Sequence, residues 1–455
     1  MKPAAAVTLV LLAASPARAA QTLLPYSDAA RAQLVAAAEG RVRLEPPAPA
    51  TAHTPALTVP PAFDDLARKP ATVPWTELML AEFVKHKTSP NRAARGLGLL
   101  HVGLHDALVL SAQLCRQASA SPGPDPARAC LSHHADSVVA AVGARVMRYL
   151  FVAEEGNFDR LAAEMGQRAV KAGTAGEEAV QAGLALGARV GERMVEYAES
   201  DGTARGWNGS RLEWYGEGRY YGPGAWEPTP PYFYYPPEEP FAPTWKTWLM
   251  DRPDQFRPTP PRFASERYMR DLIEVRSTLE SETEEQKRIA QSWADGRGSI
   301  TPPGHWNQVA LALVARHPGL DSLRVAQIFA RLNQALADAF VAAWDCKYAY
   351  WTARPITVAK RLLDVDLAPI ILTPAFPSYV SGHATFSAAG ATVLGGYFPD
   401  QAAELSRMAE EAAMSRLYAG IHFRHDNEDG LALGRKIGAL AVGKSRRADP
   451  PGRSP

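Results

Sequence analysis

The sequence predicts an all-α fold, a helical bundle, and two observations carry that prediction. Long segments repeat apolar residues every three or four positions, which places them on one face of a helix. Almost no segment alternates apolar and polar with the period of two that a half-buried strand needs. At 455 residues, 46% hydrophobic and 21% charged, the chain is globular in composition and long enough to bury a large core. A formal net charge of +1 argues against nucleic acid as a partner, because phosphate binding needs a basic surface. No internal repeat of fixed period is present.

The N-terminus, "MKPAAAVTLVLLAASPARAAQ", has Lys2, an apolar stretch from Ala4 to Ala14, and the small-x-small step Ala17-Arg18-Ala19. Residues 1–20 therefore read as a secretory signal peptide cut after Ala19 or Ala20, and the mature protein is expected to be exported, periplasmic or secreted. No later segment approaches 18 uninterrupted apolar residues, so no membrane span is expected in the mature chain. Residues 21–70 hold one short helical pattern and a Pro/Ala/Thr-rich stretch, and read as a peripheral arm.

Residues 71–446 read as a single helical domain. Ser89-Pro90 opens a helix through "NRAARGLGLLHVGLHDALVL", and further patterns run near 134–152, 156–171 and 176–199. His101 and His105, one turn apart beside Asp106, interrupt an apolar stripe and read as structural rather than as a metal site. Cys115 and Cys130 flank "RQASASPGPDPARA", a stretch unsuited to a regular element. In an oxidising compartment a bridge closing that loop would stabilise by roughly 3 kcal/mol. Cys346 is left over in a helical pattern and reads as a buried free thiol.

From 218 to 248, "GRYYGPGAWEPTPPYFYYPPEEPFAPTWKTW" is too rich in proline and aromatics for a helix or paired strand. It is expected to be a long ordered loop clamped on the bundle by its aromatics. Helical patterns resume near 265–278, 283–293 and 303–316. From Ser322 to about Leu363, Val325, Phe329, Leu332, Leu336, Phe340 and Trp344 form one buried stripe of a long helix. Residues 447–455 read as a disordered tail.

Three polar clusters fall in a catalytic half at about 320–446. Lys347 and Arg354 in "KYAYWTARP" are seven residues apart, two helical turns, which predicts a shared face before Pro355 bends or ends the helix. Since the stripe reaches Trp344, part of this pair points inward, and buried cations require an anion. In "PSYVSGHATF", Ser381 and Gly382 open a helix whose first N–H groups lack intrahelical partners and attract anions, with His383 beside them. In "SRLYAGIHFRHDNEDG", Arg416 adds a cation. His422 and Asp426 stand at i and i+4, where a carboxylate fixes the imidazole tautomer and frees the other nitrogen as ligand or nucleophile.

These segments resemble the three signature motifs of the vanadium-dependent haloperoxidase and type 2 phosphatidic acid phosphatase superfamily: Lys-x6-Arg-Pro, Pro-Ser-Gly-His, and Ser-Arg-x5-His-x3-Asp. The first and third match at every fixed position. The second departs at Val380, where many members have Pro, and keeps Ser381-Gly382-His383. "RAARGLGLLHVGLHDAL", "GPGAWEPTPP" and "TPPGHWN" look like segments of exported bacterial haloperoxidase-type members, so the likeness spans about 75–446.

The resemblance implies a helical bundle of that family's type. It implies a cage in which Lys347, Arg354, Arg416, Ser381 and Gly382 hold a vanadate cofactor bonded at His422, with Asp426 supporting His422 and His383 as acid/base group. Trp344 and Phe376 match aromatics placed near the halide site of chloroperoxidase-type members, although core packing would explain them equally. His305 in "PPGHWN" is at most an entrance residue. The implied activity is halide oxidation by hydrogen peroxide to hypohalous acid. The same cage suits an acid phosphatase that cleaves a phosphomonoester through phosphohistidine and needs no cofactor. A non-catalytic oxyanion binder would not require His383 or the His422–Asp426 pair. The chain's length and helical N-terminal half favour the haloperoxidase. Non-reducing mass mapping of protein from the exported fraction is expected to find Cys115 joined to Cys130; two free thiols there would overturn the pairing.

Overall fold

The structure, a computed structural model, describes residues 21–38, 69–120, 134–154, 156–205 and 222–448. The expected signal peptide, most of the arm and the last residues of the tail lie outside them, and so does Cys130. Cys115 is disulfide-bonded, and Cys346 is free and buried as expected.

Fourteen α-helices and no β-strand are found among the described residues. They are α1 (Asp28–Ala38), α2 (Thr72–Lys85), α3 (Pro90–Ala120), α4 (Ala135–Leu150), α5 (Asn157–Lys171), α6 (Glu177–Glu199) and α7 (Glu266–Glu280). Then come α8 (Glu284–Ser292), α9 (Thr301–Ala315), α10 (Ser322–Tyr350), α11 (Pro355–Leu363), α12 (Gly382–Tyr397), α13 (Ala402–Tyr418) and α14 (Arg424–Ala448).

Their apolar faces close over two main cores. The first gathers α2 to α6, with Trp75, Leu100, Val142 and Met147 fully shielded. The second surrounds α10, where Phe329, Leu336 and Phe340 meet Trp306 of α9 and Phe386 of α12. Helix α3 lies along α10 and joins the two. One helix, within 90–116, is long and apolar enough to cross a membrane, but most of it is buried inside the protein. The described part of the arm is docked rather than loose: Asp106 accepts from the Leu23 and Leu24 N–H groups at 2.6 and 2.9 Å. His101, stacked on Phe329, is pulled by burial to a pKa of about 3, a neutral core residue. His105 is held by Asp106 at 3.1 Å, so both histidines are structural.

The long helix expected to Leu363 stops earlier. α10 ends at Tyr350 because Trp351 takes a left-handed conformation (φ 54°, ψ 41°), and Arg354 is extended at the head of α11. The segment between is tied to the aromatic loop, with Trp226 N–H donating to Trp351 C=O and Ala353 N–H to Gly224 C=O, both at 2.8 Å. Lys347 and Arg354 therefore converge across a helix break, not by helical phase.

The loop from 222 to 260 is ordered and irregular, as its composition predicts. Trp226, Phe241 and Trp245 are buried, whereas Tyr232, Phe233 and Tyr234 are exposed. Asp338 of α10 is fully buried and accepts from three successive backbone N–H groups, Trp248, Leu249 and Met250, at 2.7 to 2.9 Å. Arg257 makes a two-pronged ion pair with Asp345 at 2.6 and 2.7 Å. α10 is thus the spine to which the loop is pinned.

The close approach of α14 to α12 is set by glycine. Facing α12, α14 carries Gly430, Gly434 and Gly438; a Cβ would sit 2.9 Å from the Ser381 carbonyl oxygen at the first and 2.2 Å from the Thr385 carbonyl oxygen at the second. This contact brings the start of α12 against the start of α14, where Ser381 N–H donates to Asp426 C=O at 3.0 Å. Gly434→Ala is expected to push the two helices apart and destabilise by about 1–3 kcal/mol. Denaturant titration checks this; an unchanged midpoint would contradict it.

Candidate active site

Four segments meet at the mouth of the second core: the end of α10, the head of α11, the 373–383 loop leading into α12, and the α13–α14 turn. Lys347 is fully buried near the end of α10. Its ammonium donates to the carbonyls of Pro377, Ser378 and Val380 at 2.9, 2.8 and 2.6 Å. An ammonium has three protons, so all its donors are spent on the loop before α12. Lys347 supplies charge and shapes that loop. Burial first, and the nearby Arg354 charge second, hold it well below the usual lysine range.

Arg354 is fully buried as well. Nε donates to Phe376 C=O and Nη1 to Ile421 C=O, each at 2.9 Å, and Nη1 faces His422 Nε2 at 3.0 Å. Its Nη2 is buried with no partner. Burial lowers the guanidinium to about 9, so it remains a cation at neutral pH. Arg416, 1% exposed on α13, donates to Ala290 C=O and Ser415 Oγ at 2.9 Å, and burial lowers it to about 10.

Ser381 caps α12: its side chain accepts from Ala384 N–H, and its carbonyl accepts from Thr385 N–H at 3.1 Å. The next N–H groups, at Gly382 and His383, belong to the first turn and have no carbonyl one turn back to bond. A Cβ on Gly382 would meet only ordinary contacts with Phe386 and Trp344.

The two site histidines differ. His422 Nδ1 lies 2.8 Å from Asp426 Oδ2, which also accepts from Ser378 Oγ at 2.6 Å and Phe423 N–H at 3.2 Å. The Phe423 bond is half of a capping box, so the carboxylate that orients His422 also starts α14. Burial alone would raise Asp426, but the His422 bond and the charge of His425 outweigh it and keep the carboxylate well below its usual range. The proton therefore sits on His422 Nδ1, and Nε2 carries the lone pair. Burial, with Arg354 beside it, holds this imidazole well below the usual histidine range and hence neutral. His383 is partly exposed, but its Nε2 is buried without a partner. Burial first, and the Arg416 charge second, hold it low too, against a hydrogen bond to the Trp293 backbone.

An oxyanion fits this set. None of the three cations forms a salt bridge among the described residues; Asp426 acts on Lys347 and Arg354, and Asp295 on Arg416, only at longer range. Two buried donors or acceptors, Arg354 Nη2 and His383 Nε2, have nothing to bond. Unpaired buried charge of one sign beside orphaned polar atoms is costly unless a ligand of the other sign binds.

Beside the cage, the Trp344 and Phe376 rings meet with centroids 4.7 Å apart. Lys347 Nζ lies 5.1 Å from the Phe376 centroid, and the Arg354 guanidinium carbon 4.9 Å from it. Trp344 Nε1 and the Tyr348 hydroxyl both donate to Glu238 C=O, at 2.9 and 2.6 Å. The aromatic loop thereby backs this pocket wall. His305 stacks on Trp293 at 4.2 Å and bonds Asp295 at 3.1 Å.

Every motif residue of the sequence reading thus reaches this region. Sequence reasoning missed Ser378, the 290–295 segment whose Ala290 carbonyl holds Arg416 and whose Trp293 backbone holds His383, and the pair Asp271–His425. His425 lies within "HFRHD", where a second histidine beside the aspartate was the available signal.

The fold and this site define a class, and comparisons with known proteins agree. A family model described as the VCPO second helical-bundle domain matches residues 327–405 and 401–448. The crystal structure of a bacterial vanadium-dependent iodoperoxidase is similar with a TM-score of 0.67 and 25% identity, covering 83% of this chain and 97% of that one. Holo and apo structures of bacterial vanadium-dependent chloroperoxidase give TM-scores of 0.60 and 0.61, each covering 79% of this chain and 93% and 95% of theirs. At 14% identity those two speak for the fold alone. No curated protein matches. These likenesses support a place in the vanadium haloperoxidase and type 2 phosphatidic acid phosphatase superfamily.

His422→Ala is expected to weaken orthovanadate binding sharply, while His383→Ala, which carries no formal charge to the anion, changes it little. Equilibrium dialysis of both variants checks the assignment; the opposite ranking would reverse the two roles.

Proposed function

We propose that the protein is an exported vanadate-dependent haloperoxidase that uses hydrogen peroxide to oxidise halide to hypohalous acid. The observation that carries this reading is the likeness, over 83% of the chain, to a bacterial vanadium-dependent iodoperoxidase, together with the match of residues 327–405 and 401–448 to the VCPO second helical-bundle domain. The leader-like N-terminus supports export.

Vanadate, when bound, supplies an electrophilic centre that activates peroxide toward halide. Arg354, Arg416, the Ser381 hydroxyl and the first N–H groups of α12 are the donors that would hold its oxygens, with Lys347 adding charge from behind. His422 offers the Nε2 lone pair, kept available by the Nδ1–H bond to Asp426. Arg354 Nη1 engages that lone pair at 3.0 Å, so a ligand taken by His422 would free this donor for the anion's oxygens. His383, neutral and unpartnered at Nε2, takes the proton that peroxide must lose and returns it to the leaving oxygen. Trp344 and Phe376 form the apolar wall at which a poorly hydrated halide would sit.

The same donors would hold a transferring phosphoryl group, and the experiment separates the two chemistries. Vanadate-loaded protein is expected to oxidise bromide with peroxide, and the metal-free protein to hydrolyse phosphomonoesters slowly or not at all; the reverse pattern makes it a phosphatase. His383→Ala should lower turnover by roughly 10²- to 10⁴-fold. Inorganic phosphate should compete with vanadate, and vanadate affinity unaffected by saturating phosphate would refute the single cage.

A further inference from the structure

Asp426 has two carboxylate oxygens, and the site above uses one. Oδ1 is buried without a hydrogen bond and has His425 Nε2 as its polar neighbour at 3.5 Å. His425 is 2% exposed, and its ring is stacked on Phe423 (5.0 Å, 10°) between Tyr268 and Tyr379. Its other nitrogen, Nδ1, lies 2.6 Å from Asp271 Oδ2, which also accepts the His425 backbone N–H at 3.1 Å. Asp271 is buried on α7, remote in sequence from every motif. In the third motif, His425 is one of the three unspecified residues between His422 and Asp426.

We propose that Asp271 and His425 are positioning residues for the anion site, a second histidine–carboxylate pair behind the first. The inference rests on the reading of His422 as the group that bonds the oxyanion. The torsion that turns a carboxylate about its own axis is broad, so Oδ2 alone does not fix the plane of Asp426. Asp271 fixes the tautomer and tilt of His425 through Nδ1–H. The stacked ring then packs its Nε2 edge against Oδ1 at 3.5 Å, the oxygen of Asp426 that no hydrogen bond holds. A carboxylate bonded through Oδ2 and walled in at Oδ1 keeps the His422 ring, and so its Nε2 lone pair, on one axis. The chain Asp271–His425–Asp426–His422 runs from α7 across the start of α14 to the cage, and locks the α13–α14 turn to a helix that supplies no anion donor.

Removing an outer partner of a metal-ligating histidine typically weakens metal binding 10- to 100-fold, and a partner one step further out should fall near the low end, about tenfold. The test uses the full mature chain and the double variant D271N/H425F, which removes the carboxylate with the imidazole and leaves no buried charge unpaired. Two quantities are read: the orthovanadate dissociation constant by equilibrium dialysis, and, in the metal-free protein, the downfield proton resonance of His422 Nδ1–H, identified by its loss in His422→Gln. The expected result is a dissociation constant raised about tenfold together with a resonance that shifts upfield or broadens, in a protein that still unfolds cooperatively. A folded double variant with both quantities unchanged overturns the proposal. Should the double variant not fold, D271N alone is read in the same two ways. If the wild type binds no vanadate, the haloperoxidase reading fails, and the resonance still decides whether Asp271 and His425 position His422.

Discussion

Three buried cations with no salt-bridged carboxylate among the described residues are the constraint around which the C-terminal half is built. Lys347, Arg354 and Arg416 are each at most 1% exposed. Burying a charge without a partner costs several kcal/mol, and the chain offsets that cost with oriented backbone carbonyls. Pro377, Ser378 and Val380 hold Lys347; Phe376 and Ile421 hold Arg354; Ala290 holds Arg416. Carbonyl dipoles lower the cost of burial without cancelling the charge. A carboxylate in their place would stabilise the empty fold better and abolish the anion site.

That solution dictates the architecture. Carbonyls that converge on a side chain must come from irregular backbone, because those of a helix interior are already engaged. The cage therefore lies where helices end: at the break after α10, in the loop before α12, in the turn before α14 and at the last turn of α8. Irregular backbone has to be held by what surrounds it. α10 does this with Asp338 and Asp345, the glycine face of α14 does it by admitting α12, and the aromatic loop does it by seating Glu238 C=O on Trp344 and Tyr348.

What was legible in the sequence follows the same division. Helices have a period, and those near 134–152, 156–171 and 176–199 were found close to their observed ends. The stop of α10 at Tyr350 was not, because Trp351 takes a left-handed conformation that an aromatic residue rarely adopts and that the loop at 224–226 imposes through long-range hydrogen bonds. Residues of the proposed anion cage were legible because they are charged in apolar context or sit at a helix start. Partners that act through backbone, such as Ala290 and Trp293, leave no mark on residue type. Asp271 and His425 could not be joined from sequence, since 154 positions separate them.

The two histidines show how burial, rather than residue identity, divides the labour. Both are held neutral, chiefly by the same cause. His422 has its Nδ1 proton bound to a carboxylate that is itself bonded by Ser378 and Phe423, so its tautomer is fixed and its lone pair permanently presented. His383 has no carboxylate; a backbone group of Trp293 engages it and Nε2 remains open. A nitrogen that must stay bonded to the anion benefits from a rigid, electron-donating partner. A nitrogen that must accept a proton and release it again is better served by a weak neutral one, because a carboxylate would hold the imidazolium and slow the return. The asymmetry of their supports thus fits the proposed ligation by His422 and proton transfer by His383, on grounds separate from the motif pattern that first pointed to them.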